Sequence, residues 1–183
     1  MRTVKLTQID CWRQMPPAGA MRAWLTDRGS LTAKIVAQHN NFNLVKLAQH
    51  LAPPFKDERR ALGLKCGELA VIREVLLRDG NTNLVFAHTA ANPRDLRGAW
   101  RGLSRLGNRP LAEMLFRDAR VSRMALEYKQ LPPSHPLVKA VQRWYPEAAL
   151  SPTPLLWARR SVFLKNNRPL MVTEVFLCAL MSR

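Results

Sequence analysis

The sequence predicts an α+β fold: an antiparallel sheet of six strands with helices packed on one face. Three observations carry that expectation. Asp79-Gly80-Asn81-Thr82-Asn83 and Asn166-Asn167 have the composition of tight hairpin turns, because these residues tolerate the left-handed backbone such turns require. Residues 122 to 130 alternate, with Met124, Leu126 and Tyr128 on one side and Arg123, Glu127 and Lys129 on the other; this is a strand with one wet face, which favours antiparallel pairing. The helical patterns fall in clusters between hairpins instead of alternating singly with strands.

Taken in order, residues 18 to 28 place Met21, Trp24 and Leu25 at helical spacing, with Gly29 stopping the helix in the left-handed cap position. Ser30 then caps a second helix. Strands are expected near 42 to 51, 69 to 78 and 84 to 90, the last two joined by the first hairpin turn. Arg94, Arg97, Arg101 and Arg105 next form one face of an amphipathic helix whose other face is Leu96, Ala99, Trp100, Leu103 and Leu106. A short helix follows, with Asn108 near its cap, Pro110 in its first turn, and Leu111, Met114 and Leu115 facing inward. After the strand at 122 to 130, residues 132 to 154 lie between Pro132-Pro133 and Pro152-Thr153-Pro154 and hold Leu137, Val138, Val141 and Trp144 at helical spacing, a helical excursion. Strands at 155 to 165 and 168 to 180 close the sheet.

At 183 residues the chain fits one domain, and its 47% hydrophobic content is ample for one core. Met1 to Gln8 hold no apolar stretch long enough for a signal peptide, and no segment has the uninterrupted apolar run of a membrane span. A cytoplasmic protein is expected. Cys11, Cys66 and Cys178 are odd in number and scattered, which suits reduced thiols rather than a disulfide framework or a zinc knuckle. His39, His50, His88 and His135 lack metal-ligand spacing, and there is no glycine-rich phosphate loop or nucleophile elbow. Metal, nucleotide and serine-hydrolase chemistry thereby lose most of their support. The formal net charge of +16 fits a nucleic-acid surface, an anionic membrane surface or the steering of an anionic small molecule. Arginine stripes are most often solvated faces.

The functional signal is local. Arg73 sits within Leu69-Val71-Arg73-Val75-Leu77 and Glu174 within Leu170-Val172-Glu174-Phe176-Cys178. Alternate strand residues share a face, so each charge points the same way as its apolar neighbours. Burying an unpaired charge is costly, so the two either belong to structural ion pairs or line a pocket whose ligand completes them. Arg73 suits a carboxylate, because its planar guanidinium donates two parallel hydrogen bonds at any relevant pH. Glu74 points to the opposite face, with Ile72 and Leu76, and reads as structural; His88 reads as a hydrogen-bonded core histidine. The helix starts at Leu31-Thr32 and Pro110-Leu111 present free backbone N–H groups that can hold an anion.

Four blocks in order, Ile72-Arg73-Glu74-Val75-Leu76-Leu77, Leu106-Gly107-Asn108-Arg109-Pro110-Leu111, Leu156-Trp157-Ala158-Arg159-Arg160-Ser161 and Leu170-Met171-Val172-Thr173-Glu174-Val175-Phe176-Leu177, resemble bacterial chorismate lyase. The likeness extends to Trp24-Leu25 and Ser30-Leu31-Thr32 and covers the chain except its extreme N-terminus and the 132 to 154 excursion, which reads as an insertion. The resemblance implies a ligand buried beneath helical flaps and a reaction that needs neither metal nor organic cofactor. In that reaction pyruvate leaves chorismate with the ether oxygen, a proton is lost from the ring carbon bearing the hydroxyl, and aromatisation yields 4-hydroxybenzoate, the precursor of ubiquinone. Carried over by motif, Arg73 and Glu174 are the catalytic pair, and Leu31, Arg73, Leu111 and Glu174 bind substrate; at Leu31 the better-known pattern has methionine. Arg73 and the helix-start amides then hold a carboxylate while Glu174 contacts the ring hydroxyl or assists proton transfer, the two standing at opposite ends of one ring. The expected partners are chorismate and 4-hydroxybenzoate, with no obligate nucleic acid, a monomeric state, and peripheral contact with an anionic membrane as a role for the basic surface. The alternatives are a noncatalytic small-molecule sensor of the same fold and a basic nucleic-acid-binding protein.

Overall fold

Turn chemistry sets the strand pairing in the computed structural model, which describes residues 12, 13, 19, 21–146, 155–177 and 180. The strands are β1 (Phe42–Ala52), β2 (Ala70–Asp79), β3 (Thr82–Ala91), β4 (Val121–Arg123), β5 (Glu127–Leu131), β6 (Leu156–Lys165) and β7 (Arg168–Phe176). They form one antiparallel sheet in the order β1-β2-β3-β7-β6-β4, and β5 pairs with β6 beside β4. The sheet is thus six positions wide. The β2–β3 turn places Gly80 at φ 55°, and the β6–β7 turn places Asn166 and Asn167 at φ 51° and 59°, the backbone that a two-residue hairpin requires.

The helices are α1 (Arg22–Leu25), α2 (Leu31–Gln38), α3 (Lys56–Ala61), α4 (Leu111–Phe116) and α5 (Pro136–Trp144). Leu25, Leu31 and Ile35 of α1 and α2 bury themselves with Val75, Leu77, Val85 and Ala87. Because Leu76, Phe86, Ala158 and Val175 occupy intervening strand positions, they face the other way and pack against Leu137, Val138 and Val141 of α5. The sheet therefore carries α5 on one side and the α1–α2 pair on the other. Among the described residues no helix is long and apolar enough to cross a membrane.

Several local expectations differ from the structure for identifiable reasons. The arginine-striped helix is instead two 3-10 turns, Pro93–Arg97 and Arg101–Arg105. Gly98 and Gly102 weaken a continuous helix, and the intervening Trp100 is drawn fully into the core with its indole N–H on the Arg168 carbonyl. The strand expected at 122 to 130 breaks into β4 and β5, since the Met124 carbonyl accepts from the Ser161 hydroxyl and Met124 turns outward, 52% exposed. Gly29 is not left-handed; its N–H is taken by the Asp27 carboxylate at 2.7 Å, while Ser30 caps α2 by accepting from Ala33 N. Pro110 is itself the N-cap of α4, in extended backbone. The last strand ends at Phe176. Cys66 is an exposed free thiol; Cys11, Cys178 and positions 147–154 of the excursion lie outside the described residues.

The α5 face is pinned by a buried polar cluster. Glu74 accepts from the Trp144 indole at 2.7 Å and lies 3.2 Å from His88 Nδ1, while Glu58 Oε1 lies 3.2 Å from His88 Nε2 but out of line for a hydrogen bond. Phe55 stacks on the imidazole. Burial opposes charge on His88, but its close contacts with the two glutamates and their negative field outweigh it and push its pKa up to about 9. Glu74 is likewise shifted down despite burial, by its bonds from His88 and Trp144.

His88 thus binds its proton more tightly in the folded state than in the unfolded chain, where the ordinary value is 6.5. Its contribution to stability is fully present below that value and disappears as pH rises through about 9. Denaturant midpoints measured from pH 6 to 9.5 (roughly the span of the two pKa values) should fall for the wild type and flatten in His88→Gln.

Candidate active site

Pairing register brings the charged residues onto one face. Gln49, Arg73, Thr89, Val172 and Ser161 form one row across the sheet; Val75, Ala87, Glu174, Arg159 and Tyr128 form another, two residues along each strand. Arg73 and Glu174 lie two strands and two residues apart, which strand geometry makes ~12 Å between their Cα atoms. Their side chains reach into the same cavity, roofed by the starts of α2 and α4 at Leu31, Thr32, Leu111 and Ala112. Its volume of about 50 Å³ is several times what a single water needs.

Arg73 is 1% exposed, yet it touches no carboxylate among the described residues. One terminal nitrogen donates to Gln49 Oε1 at 3.2 Å and the other to the Arg109 carbonyl at 3.3 Å, both neutral acceptors. Burial lowers its pKa. Gln49 is held in turn by its own amide on the Leu103 carbonyl. The segment carrying Arg109 turns sharply at Gly107, φ 58°, where a side chain would be strained. The guanidinium is therefore aimed by the loop that begins α4.

Glu174 is differently placed. Arg159, directly opposite on β6, donates from Nε to Glu174 Oε2 at 2.6 Å. Another Arg159 nitrogen donates to the carbonyls of Trp24 and Asp27, both at 2.8 Å, so this one side chain ties Glu174 to the segment leading into α2. Glu174 is thus a compensated carboxylate, 15% exposed at its side chain, and no Arg73–Glu174 ion pair occurs among the described residues. Arg123 also lines the cavity, donating to the carbonyls of Arg28 and Gly29. Burial lowers its pKa, and the Glu174 charge works in the opposite direction.

Of the residues singled out in the sequence, Leu31, Arg73, Leu111 and Glu174 all line this cavity. Glu74 and His88 sit on the other face, tied to each other and to Trp144. Sequence reasoning did not single out Arg159, Arg123 or Gln49. Arg159 had a usable signal: a two-residue Asn166-Asn167 turn pairs Lys165 with Arg168, and counting back from that pair sets Arg159 opposite Glu174. Gln49 had none, because the β1–β2 register contains a bulge between Lys46 and Ala48.

These features define an α+β fold with a cationic cavity on one sheet face. A GntR-family transcriptional regulator from Bacillus cereus shares the fold at TM-score 0.55 and 11% identity, over 75% of this chain and 92% of that one. The C-terminal domain of PhnF shares it at TM-score 0.53 and 18% identity, over 75% and 82%. The chain belongs to the chorismate lyase family, whose model matches residues 7–183. Probable chorismate pyruvate-lyases from Thiobacillus denitrificans and Cupriavidus metallidurans are 43% and 48% identical over 162 residues, which is 88% of this chain and 84% and 75% of theirs.

The two buried arginines predict opposite stability effects. Arg159→Met strands Glu174 without its partner and should cost about 3 to 5 kcal/mol in denaturant unfolding. Arg73→Met removes a buried charge that has no counter-ion among the described residues, and the ligand-free variant should stay within ~1 kcal/mol of wild type or exceed it.

Proposed function

We propose that this chain converts chorismate to 4-hydroxybenzoate and pyruvate, with the ring bound between Arg73 and Glu174. The observation that carries the reading is Arg73: a fully buried guanidinium in the same cavity as Glu174, with neutral acceptors only. A ring carboxylate supplies the missing negative charge and takes two parallel hydrogen bonds. The backbone N–H groups of Leu31 and Leu111, at helix starts where intrahelical partners are lacking, add donors to the same anion. On this reading Leu31 acts through its backbone, so its side-chain type matters little there.

Glu174 then meets the ring hydroxyl. In the elimination, the hydroxyl-bearing carbon loses its proton, that C–H electron pair completes the aromatic ring, and the ether carbon–oxygen bond breaks with its electrons going to enolpyruvate. Enolpyruvate takes up a proton to become pyruvate. The protein's task is positioning and proton management, for which no metal or organic cofactor is needed. Arg159 keeps the Glu174 carboxylate oriented through its 2.6 Å bond.

The same reading has the chain act as a cytoplasmic monomer without a nucleic-acid partner, on the path to ubiquinone. Its positive field steers an anionic substrate, and the exposed Arg94, Arg97, Arg101 and Arg105 are available for peripheral contact with an anionic membrane. The 132 to 154 segment is proposed as an insertion in the family's pattern.

Purified protein given chorismate in the presence of a chelator should release pyruvate and 4-hydroxybenzoate in equal amounts. Arg73→Ala should weaken product binding by roughly 2 to 5 kcal/mol, read by calorimetry. Glu174→Gln should lower kcat by ~10²- to 10⁴-fold while still binding product. Near-normal turnover in Arg73→Ala would sink the assignment.

A further inference from the structure

The carboxylate at Arg73 leaves part of the cavity's charge unexplained. Three arginines, Arg73, Arg123 and Arg159, line it against one carboxylate, Glu174. The nearby Asp27 carboxylate lies 3.2 Å from Lys34 and also accepts from Gly29 N. Arg159 is 0% exposed, and its second terminal nitrogen has no hydrogen-bond partner among the described residues even though Nε and the other terminal nitrogen are engaged. Arg123 Nε is buried and unpartnered as well. Buried orphan donors of this kind are rare in folded proteins and call for an acceptor. Two occur together, both on cations, beside the carboxylate assigned to the ring hydroxyl.

We propose that Arg159 and Arg123 form a second anion subsite, which takes the carboxylate of the enolpyruvyl group. The proposal rests on the assignment of chorismate as substrate. Chorismate is a dianion, and three arginines with one glutamate give the cavity a charge of +2. In chorismate the ether carbon neighbours the hydroxyl-bearing carbon. With the ring carboxylate on Arg73 and the hydroxyl on Glu174, the enolpyruvyl group therefore emerges beside Glu174, where Arg159 is bonded. The subsite distinguishes substrate from product: 4-hydroxybenzoate keeps the Arg73 anion and lacks the second one. Holding the departing carboxylate between two guanidiniums also stabilises the negative charge that builds on enolpyruvate as the ether bond breaks.

The test compares two stable ligands that differ only in this group, 3-(carboxymethoxy)-4-hydroxybenzoate and 4-hydroxy-3-methoxybenzoate, by calorimetry on the whole chain. Wild type should bind the dicarboxylate about tenfold or more tightly than the methoxy compound. In Arg123→Gln that preference should shrink to roughly twofold or less, with the methoxy compound's affinity nearly unchanged; Arg159→Gln should shrink it likewise, on top of a loss shared by both ligands because it also releases Glu174. If Arg159→Gln does not fold, the wild-type preference and Arg123→Gln decide. The proposal is overturned if wild type shows no preference, if the variants retain it, or if both ligands weaken equally, the mark of a structural role. A preference without chorismate turnover refutes the assigned reaction and leaves the subsite standing; turnover without a preference does the reverse.

Discussion

The site depends on the cost of burying the Arg73 guanidinium without a carboxylate. A charge taken out of water needs strong compensation, and here the described residues offer a glutamine oxygen and a backbone carbonyl. The fold spends several features on keeping it so. The Gly107 turn and the extended Pro110 cap bring the Arg109 carbonyl over the sheet, and the β1 bulge brings Gln49 alongside. The starts of α2 and α4 cover the niche. The result is a cationic niche, which on the proposed reading takes an anion.

Arg73 and Arg159 show how similar residues on one sheet acquire different roles. Arg159 has a glutamate opposite and peptide carbonyls from the α1–α2 connection, so most of its charge is used in holding the protein together. Arg73 has neither. The second terminal nitrogen on Arg159, buried and without a hydrogen-bond partner among the described residues, is the exception. On the far face the Glu58, Glu74 and His88 cluster pairs its charges internally and is bound to α5 through Trp144. Burial of charge alone thus separates poorly between structure and function; what separates them is whether the partner belongs to the chain.

The sheet was legible because two-residue turns and period-two patterns are local signals; the β6–β7 hairpin pairs throughout as its turn requires, and the β2–β3 hairpin does so up to a bulge at Leu77/Arg78. Arg73, Glu174, Leu31 and Leu111 were legible as unusual residues and as matches to a family pattern, and they converge on one cavity. The arginine-striped helix was misread because helical spacing cannot register that Gly98, Gly102 and the buried Trp100 favour two tighter turns. The strand at 122 to 130 was read as continuous because the interruption at Met124 is a tertiary contact with Ser161. Glu174 was first an uncompensated charge for a similar reason: its partner is close only after the last hairpin closes, although the hairpin arithmetic contained that pairing.

The most direct test of the account is a crystal structure of the protein with 4-hydroxybenzoate. The carboxylate should lie within ~3 Å of the Arg73 guanidinium in a paired arrangement, with the phenol oxygen facing Glu174. A ligand bound the other way round, with its carboxylate on Arg159 or Arg123, or a ligand bound outside this cavity, would contradict the account.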